Sequence, residues 1–206
     1  MAAGLLGGAV GLLPLPWRAR MLAVPLALPL LWPAVERPPA GQFELTVVDI
    51  GQGTAVLVRT RKHLLVYDTG PAYAREGDAG QRIVAPLLRA RGETRIDLLM
   101  LSHRDTDHVG GAASLHAAWP VLAWSSSLDD AHPLRRLARQ HSTCEAGQSW
   151  TWDGVRFDVL HPQAGDAARE RRPNALSCVL RIAAPDGTSA LLTGDIVMVS
   201  QDRRTV

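Results

Sequence analysis

The chain has 206 residues, of which 47% are hydrophobic and 20% charged, with a formal net charge of +2. A chain of this length and composition can bury a core of its own. The net charge of +2 carries little information about partners, and no Lys/Arg block suggests a nucleic-acid-binding arm.

The first 40 residues are rich in Leu, Ala and Pro and almost free of charge. Two apolar stretches, Met1–Trp17 and Met21–Val35, flank the basic segment Arg18–Arg20. Each stretch is shorter than the roughly 20 residues of a membrane-spanning helix, and its prolines weaken it as a helix. A cleaved signal peptide is the competing interpretation, although no basic segment precedes the apolar stretch and no small-x-small cleavage site follows. We expect residues 1–40 to form a membrane-associated segment and residues 41–206 a domain.

The rest of the chain alternates between strand and helix patterns. Apolar runs predict strands over Phe43–Asp49, Thr54–Thr60, His63–Asp68 and Ile96–Leu101, the second and third of which are joined at Arg61-Lys62 as a hairpin. Helices are predicted over Gln81–Arg91, Ala112–Ala118 and Pro133–His141. Asp-Gly turns predict two antiparallel hairpins over Ser149–Leu160 and Leu176–Thr193. Strand-rich halves separated by helices fit an α/β (α+β) fold, a four-layer αββα sandwich.

Four side chains that can bind metal lie within six residues, directly after the strand Ile96–Leu101. They are His103, Asp105, Asp107 and His108. Imidazole and carboxylate groups are the ligands of catalytic Zn²⁺, Mn²⁺ and Fe²⁺. The strand end can direct the first two residues at one ion and the last two at a second, and the following Gly-Gly pair lets the backbone turn into the next helix. The alternative is that these residues cap a helix and solvate a loop, but the density of ligands favours a metal site.

A second short apolar strand ends in Thr193-Gly194-Asp195, and an earlier one ends in Asp68. This layout resembles the metallo-β-lactamase superfamily, in which an HxHxDH motif supplies ligands for two metals and a later Asp bridges them. The resemblance implies that Asp195 bridges the ions, that Asp107 and Asp195 serve catalysis, and that Asp68 braces the site from behind. Asp105 stands where the motif has His, which should shift the preference from Zn²⁺ towards Mn²⁺ or Fe²⁺.

His161 follows another predicted strand and could complete the site of the first metal. The superfamily often places its third His comparably. The resemblance does not demand a His at this position, so a structural His at the end of a strand is the favoured interpretation, and the role as a ligand stays open.

Six motifs in order resemble the C-terminal domain of the ComEC family, inner-membrane proteins that take up DNA in natural transformation. They are VVDIGQG, the strand end at Asp68, LLMLSHRDTDHVGG, VRFDVLHP, NALSCVLRI and LLTGDI. The resemblance implies a hydrolase domain with one or two divalent ions, Mn or Zn, that degrades the strand of DNA that is not imported. It also implies the inner membrane and the competence machinery as partners. The alternatives are a hydrolase of small esters, thioesters or lactams, and an inactive fragment of the channel.

The two ends of the chain and its two cysteines add three expectations. ComEC-family members continue beyond the position of Val206 into a further strand and a His-His-Gly-Ser motif, so we expect the fold to be incomplete at the C-terminus. Arg18 and Arg20 favour a cytoplasmic loop, which would place residue 42 onward in the periplasm. Cys144 and Cys178 could then form a disulfide, or remain two buried thiols.

Overall fold

The computed structural model describes residues 8, 12–14, 16–21, 23–31, 36–73, 77–170 and 172–196. The chain divides into two units, 1–36 and 37–206. In the first unit, helix α1 covers Trp17–Arg20 and helix α2 covers Ala23–Leu31. Within the described ranges, none of the helices is both long and apolar enough to cross a membrane. Most of the apolar stretch 1–17 and the C-terminal segment 197–206 lie outside the described residues.

The second unit is built from two β-sheets. The first sheet contains six strands in the order β1-β2-β3-β4-β5-β6, which are Glu44–Val47, Val56–Arg59, Leu64–Tyr67, Ile96–Leu101, Val121–Ser126 and His141–Thr143. The second sheet has the order β10-β9-β8-β7, with β7 at Ser149–Trp152, β8 at Val155–His161, β9 at Val179–Ala183 and β10 at Ser189–Leu192. The predicted strands and the three predicted hairpins are therefore confirmed.

Short helices connect these strands. A π-helical turn over Gly80–Val84 continues into α3 (Ala85–Ala90), and the later helices are α4 (Thr106–Val109), α5 (Ala112–Ala118) and α6 (Asp166–Arg169). Two 3₁₀ turns cover Pro133–Arg136 and Asn174–Leu176. The helices predicted over 81–91 and 112–118 are confirmed.

The helix predicted over Pro133–His141 is wrong. Only its first four residues form a 3₁₀ turn, and His141 begins β6. The backbone N–H of Trp124 donates to the carbonyl of Gln140 at 2.9 Å, and Trp124 pairs with His141 in a parallel ladder. Pairing with β5, a strand that the sequence did not reveal, outweighs the local helical preference of this segment.

Two apolar cores lie on the two faces of the first sheet. Strand β3 shows the division most clearly, because all four of its residues are buried. Leu64 and Val66 belong to the core shared with α3 and α5, whereas Leu65 and Tyr67 belong to the core between the two sheets. A strand covered on both faces has no polar alternation, which explains its continuous apolar sequence.

The Gly110-Gly111 pair serves a close backbone approach. Both residues have right-handed helical geometry, with φ values of −58° and −89°, so neither needs the conformational freedom of glycine. A Cβ atom on Gly111 would overlap the backbone of Gly80, and one on Gly80 would overlap Gly111. The expected tight turn is therefore not the reason for this pair. Gly111 permits the contact with the π-helical turn, and Gly110 permits a close approach to the backbone of Pro71 and Ala72.

Candidate metal centre

The candidate centre lies where β3 and β4 end side by side. These strands are parallel, with Tyr67 beside Met100, so Asp68 and Ser102 emerge at the same edge of the sheet. The backbone N–H of Asp68 donates to the Met100 carbonyl at 2.8 Å. Asp68 has a φ of 57°, in the left-handed region that Asp tolerates better than most residues.

Three side chains converge above this edge. Ligand atoms of His103, His108 and Asp195 all lie within 4.8 Å of one another. The two imidazole rings are 4.1 Å apart at their centroids, and Nε2 of His108 is 3.3 Å from Oδ1 of Asp195. Both histidines are 1% exposed, whereas the Asp195 side chain is 44% exposed. The cluster therefore combines a buried nitrogen side with a carboxylate that faces solvent.

The two other carboxylates of the loop flank the same histidines. Oδ2 of Asp105 is 3.4 Å from Nε2 of His103, and Oδ2 of Asp107 is 3.9 Å from Nε2 of His108. Asp105 occupies the N-cap position of α4, yet its side chain makes no capping hydrogen bond. The interpretation of Asp105 as a helix cap is thus wrong, and its carboxylate instead faces the imidazole of His103.

Asp68 forms hydrogen bonds on the buried side of the candidate centre. Its Oδ1 accepts the backbone N–H of Ser102 at 2.7 Å, and its Oδ2 lies 2.8 Å from Nδ1 of His108. Burial raises the pKa of Asp68, and the hydrogen bonds from His108 and Ser102 oppose that rise. Burial also lowers the pKa of His108, but the hydrogen bond to Asp68 and the negative charges of Asp68, Asp195 and Asp107 together outweigh burial, so the pKa is raised overall. A carboxylate behind a metal-binding imidazole orients the ring and increases its basicity.

The donor set fits a divalent cation. Among the described residues, Nε2 of His103 is buried and has no hydrogen-bond partner. A buried polar atom without a hydrogen bond is costly, and this one lies beside the other metal-binding atoms of the cluster, where a cation would satisfy it. Burial, and next the charge of His108, lower the pKa of His103, which favours the neutral imidazole that metals require. Nitrogen and carboxylate oxygen in this arrangement suit Zn²⁺ and Mn²⁺.

His161 lies at the end of β8 and outside this cluster. Its Nδ1 is 2.9 Å from the carbonyl of Ser177, and its Nε2 is 3.8 Å from the carboxylate of Asp166. These contacts are those of a His at the end of a strand, although the ring remains 22% exposed. Its role as a ligand stays a prediction.

The analysis of the sequence did not single out three hydroxyl groups beside the site. Ser102 contacts both histidines, Ser177 lies 3.4 Å from Nδ1 of His103, and Tyr67 donates to the Cys178 carbonyl at 2.6 Å. Burial raises the pKa of Tyr67, so this phenol stays a hydrogen-bond donor. The one available signal was the position of Ser102, directly after a buried strand and before the first ligand.

Cys144 and Cys178 pair as a disulfide between the 143–149 loop and the start of β9, with Cα atoms 6.0 Å apart. Both residues are fully buried in the core between the sheets. The backbone N–H of Cys178 donates to the carbonyl of Ser102 at 2.9 Å. The pair therefore supports the floor of the candidate centre.

A cleft of about 570 Å³ opens beside the cluster. His103 and Arg104 form one wall, and the other lining residues include Leu128, Arg135, Glu170 and Leu176. Its walls are both apolar and charged. A cleft of this volume can hold a ligand of moderate size next to the histidines.

Comparison with known proteins agrees with this geometry. Residues 48–202 match the family described as the metallo-beta-lactamase superfamily. The chain is 35% identical over 182 residues to the uncharacterized protein YcaI of Escherichia coli, covering 87% of this chain and 22% of that protein. It is 36% identical over 164 residues to the competence protein ComA of Neisseria gonorrhoeae, covering 78% of this chain and 21% of that protein.

The chain spans about a fifth of the length of these curated relatives. Among solved structures, a metallo-beta-lactamase of Cronobacter sakazakii shares the fold with a TM-score of 0.55 at 19% identity, covering 83% of this chain and 63% of that chain. The resemblance to the competence proteins of the ComEC family is confirmed by the curated relatives. With a family match over three quarters of its length, the chain belongs to the metallo-beta-lactamase superfamily.

Proposed function

We propose that this chain is the metal-dependent hydrolase domain of a ComEC-like DNA internalization protein, and that it cleaves phosphodiester bonds in the strand that is not imported. The observation that carries the proposal is the convergence of His103, His108 and Asp195 within 4.8 Å, with Nε2 of His103 buried and without a partner. The choice of DNA as substrate follows from what the resemblance to the ComEC family implies, and the match to a competence protein supports that choice.

Each ligand has a proposed place. His103 and Asp105 would hold one ion, Asp107 and His108 the other, and Asp195 would bridge them. Asp68 would support His108 from behind. When bound, divalent ions supply an activated water and stabilise the charge on a phosphoryl oxygen.

The surroundings of the centre determine the protonation of its ligands and its access to substrate. Burial lowers the pKa of His103 and so favours its neutral imidazole, and it excludes water from the inner side of both rings. The carboxylates of Asp105, Asp107 and Asp195 are 42%, 35% and 44% exposed, so the reacting side of the centre is open to a polymeric substrate. The adjoining cleft, with Arg104 and Arg135 in its lining, would receive the strand next to the scissile phosphate.

The proposal also covers the location of the domain. Residues 1–40 would be the end of a membrane channel, and the hydrolase domain would lie on the periplasmic side of the inner membrane beside the competence machinery. The paired Cys144 and Cys178 support an oxidising compartment, since such a bond persists in the periplasm and is reduced in the cytoplasm. Alkylation of the protein from cells under denaturing, non-reducing conditions tests this assignment, and two freely labelled cysteines would remove its support.

The activity is tested with the full chain loaded with Mn²⁺ or Zn²⁺. We expect cleavage of single-stranded DNA, no hydrolysis of chromogenic lactams or thioesters, and a loss of about 100-fold or more in Asp195→Asn, since even residues behind a metal ligand contribute 10- to 100-fold. Asp186→Asn is the matched control, because Asp186 lies in the turn between β9 and β10 and is exposed. Cleavage of lactams or thioesters in place of DNA would favour a general hydrolase, and neither activity with saturating metal would indicate a fragment without catalysis.

A further inference from the structure

The hydroxyl group of Ser102 lies at the centre of the histidine cluster. Its Oγ is 2.7 Å from Oδ2 of Asp68, 2.9 Å from Nδ1 of His103 and 3.3 Å from Nδ1 of His108. Ser102 is completely buried, so none of these contacts can be replaced by bulk water.

Hydrogen-bond donors around Asp68 fix where the first protons lie. Oδ1 accepts the backbone N–H of Ser102, and Oδ2 is within hydrogen-bond distance of the Ser102 hydroxyl and of Nδ1 of His108. An ionised carboxylate only accepts hydrogen bonds. With Asp68 ionised, the hydroxyl of Ser102 and Nδ1 of His108 both donate to it.

This arrangement determines the tautomer of His103. A serine hydroxyl has one proton, and Ser102 has already given it to Asp68, so its oxygen can only accept at the second contact. Nδ1 of His103, 2.9 Å away, must then be the donor. A neutral imidazole with its proton on Nδ1 has a free lone pair on Nε2, the buried atom that makes no hydrogen bond and lies 3.4 Å from the Asp105 carboxylate.

We propose that Ser102 is a positioning residue. Its hydroxyl donates to Asp68 and accepts the Nδ1 proton of His103, which leaves the Nε2 lone pair of His103 free to bind the cation. This inference rests on the metal centre of the proposed function and is independent of the DNA substrate. Asp68 fixes the tautomer of His108 directly, and it fixes the tautomer of His103 through Ser102.

Ser177 is the competing hydroxyl. Its Oγ is 3.4 Å from Nδ1 of His103, at the limit of a hydrogen bond, whereas that of Ser102 is 2.9 Å away. Gly194 packs against both serines, because a Cβ atom at that position would lie 3.0 Å from each Oγ. The two hydroxyls therefore form the surface on which the Gly194-Asp195 turn rests, but the shorter contact assigns the tautomer to Ser102.

The experiment observes the tautomers directly in the metal-free full chain labelled with ¹⁵N-histidine. Long-range ¹H–¹⁵N spectra at about pH 9, where neutral rings dominate, distinguish a proton on Nδ1 from one on Nε2. In the wild type we expect both His103 and His108 to carry the proton on Nδ1. Single His→Gln substitutions assign the signals.

Two variants have different expected patterns. In Ser102→Ala only His103 should lose its fixed tautomer, since Nδ1 of His108 still donates to Asp68. Asp68→Asn should move the proton to Nε2 in both rings. In that variant, the backbone N–H of Ser102 holds the amide oxygen, so the amide NH₂ donates to His108 and to Ser102, which then donates to His103. If Ser102→Ala does not fold, the Asp68→Asn pattern makes the same test.

The controls separate this role from a general structural one. Ser127→Ala removes a hydroxyl that donates to the Ser102 carbonyl at 2.7 Å, and should leave both tautomers unchanged. Ser102→Thr keeps the hydroxyl and should restore the pattern of the wild type. Calorimetry with Mn²⁺ or Zn²⁺ should show affinity reduced by about 10- to 100-fold in Ser102→Ala.

The inference is overturned if His103 carries its proton on Nε2 in the wild type, as it would if Asp68 were protonated and donated to Ser102. It is also overturned if Ser177→Ala, and not Ser102→Ala, changes the tautomer of His103. The spectra need neither metal nor substrate. The expected tautomers in a protein that takes up no metal would therefore refute the proposed function alone.

Discussion

The chain contains two His–Asp pairs with nearly the same local geometry and very different surroundings. In the candidate centre, Nδ1 of His108 is 2.8 Å from Oδ2 of Asp68. At the junction of two hairpin turns, Nδ1 of His63 is 3.0 Å from Oδ2 of Asp153. The second pair connects the β2–β3 turn to the β7–β8 turn and so ties the two sheets together.

The surroundings of the rings decide what each pair can do. His108 directs Nε2 towards Asp195 and Asp107, beside a second buried imidazole. The ring of His63 stacks on Trp152 at 4.8 Å, and among the described residues it belongs to no cluster of metal-binding side chains. A His–Asp pair thus becomes a candidate ligand only where the far nitrogen faces further donors, and otherwise it serves as a structural link.

The largest expected effect is on metal binding, when both histidines of the candidate centre are removed. In the double variant His103→Ala/His108→Ala we expect uptake of Mn²⁺ or Zn²⁺ to fall below detection, because both imidazole donors of the cluster are lost. Native mass spectrometry or calorimetry measures the stoichiometry. His63→Ala is the matched control and should bind as the wild type does, while unchanged stoichiometry in the double variant would place the metal elsewhere.

The structural pair should contribute to stability and its contribution should depend on pH. Burial opposes ionisation of Asp153, but hydrogen bonds from His63, Thr60 and the backbone of Lys62 lower its pKa from 3.8 to about 2. The ionised form is therefore favoured by folding, so its contribution is present above about pH 4 and is lost as the pH falls through about 2.

Asp153→Asn tests this pair and keeps the left-handed backbone, since Asn tolerates the φ of 51°. The amide oxygen can still accept, but it lacks the charge, so we expect a loss of about 1 to 2 kcal/mol at neutral pH. Denaturant unfolding between neutral and acidic pH measures the difference from the wild type, which should shrink below about pH 4. A difference that stays constant down to pH 2 would contradict the assignment, and metal uptake should not change in either case.

The smallest expected effect concerns the choice of metal. Asp105→His replaces an oxygen next to His103 by an imidazole nitrogen, so the ratio of Zn²⁺ to Mn²⁺ affinity should rise. Competition calorimetry with the two ions measures that ratio. An unaltered preference would show that Asp105 is no ligand, despite lying 3.4 Å from Nε2 of His103.

Much of the fold was predictable because its signals are local. The strand Ile96–Leu101, the helix Ala112–Ala118 and the Asp-Gly turns follow from apolar runs and from residues that accept positive φ. The strand Val121–Ser126 and the start of β6 at His141 were missed, because these short strands are defined by pairing with β4 and with each other. Parallel partners are distant in sequence, so no local pattern reports them.

The sequence by itself determined that metal-binding side chains are concentrated at the end of one strand, because ligand type and spacing are written in the residues His103 to His108. Only the tertiary structure decided which atoms of these side chains meet. The parallel register of β3 and β4 sets Asp68 beside Ser102, and the close approach at Gly194 brings Asp195 over His108. Burial by the surrounding chain then leaves Nε2 of His103 without a hydrogen bond, beside the other metal-binding side chains of the cluster.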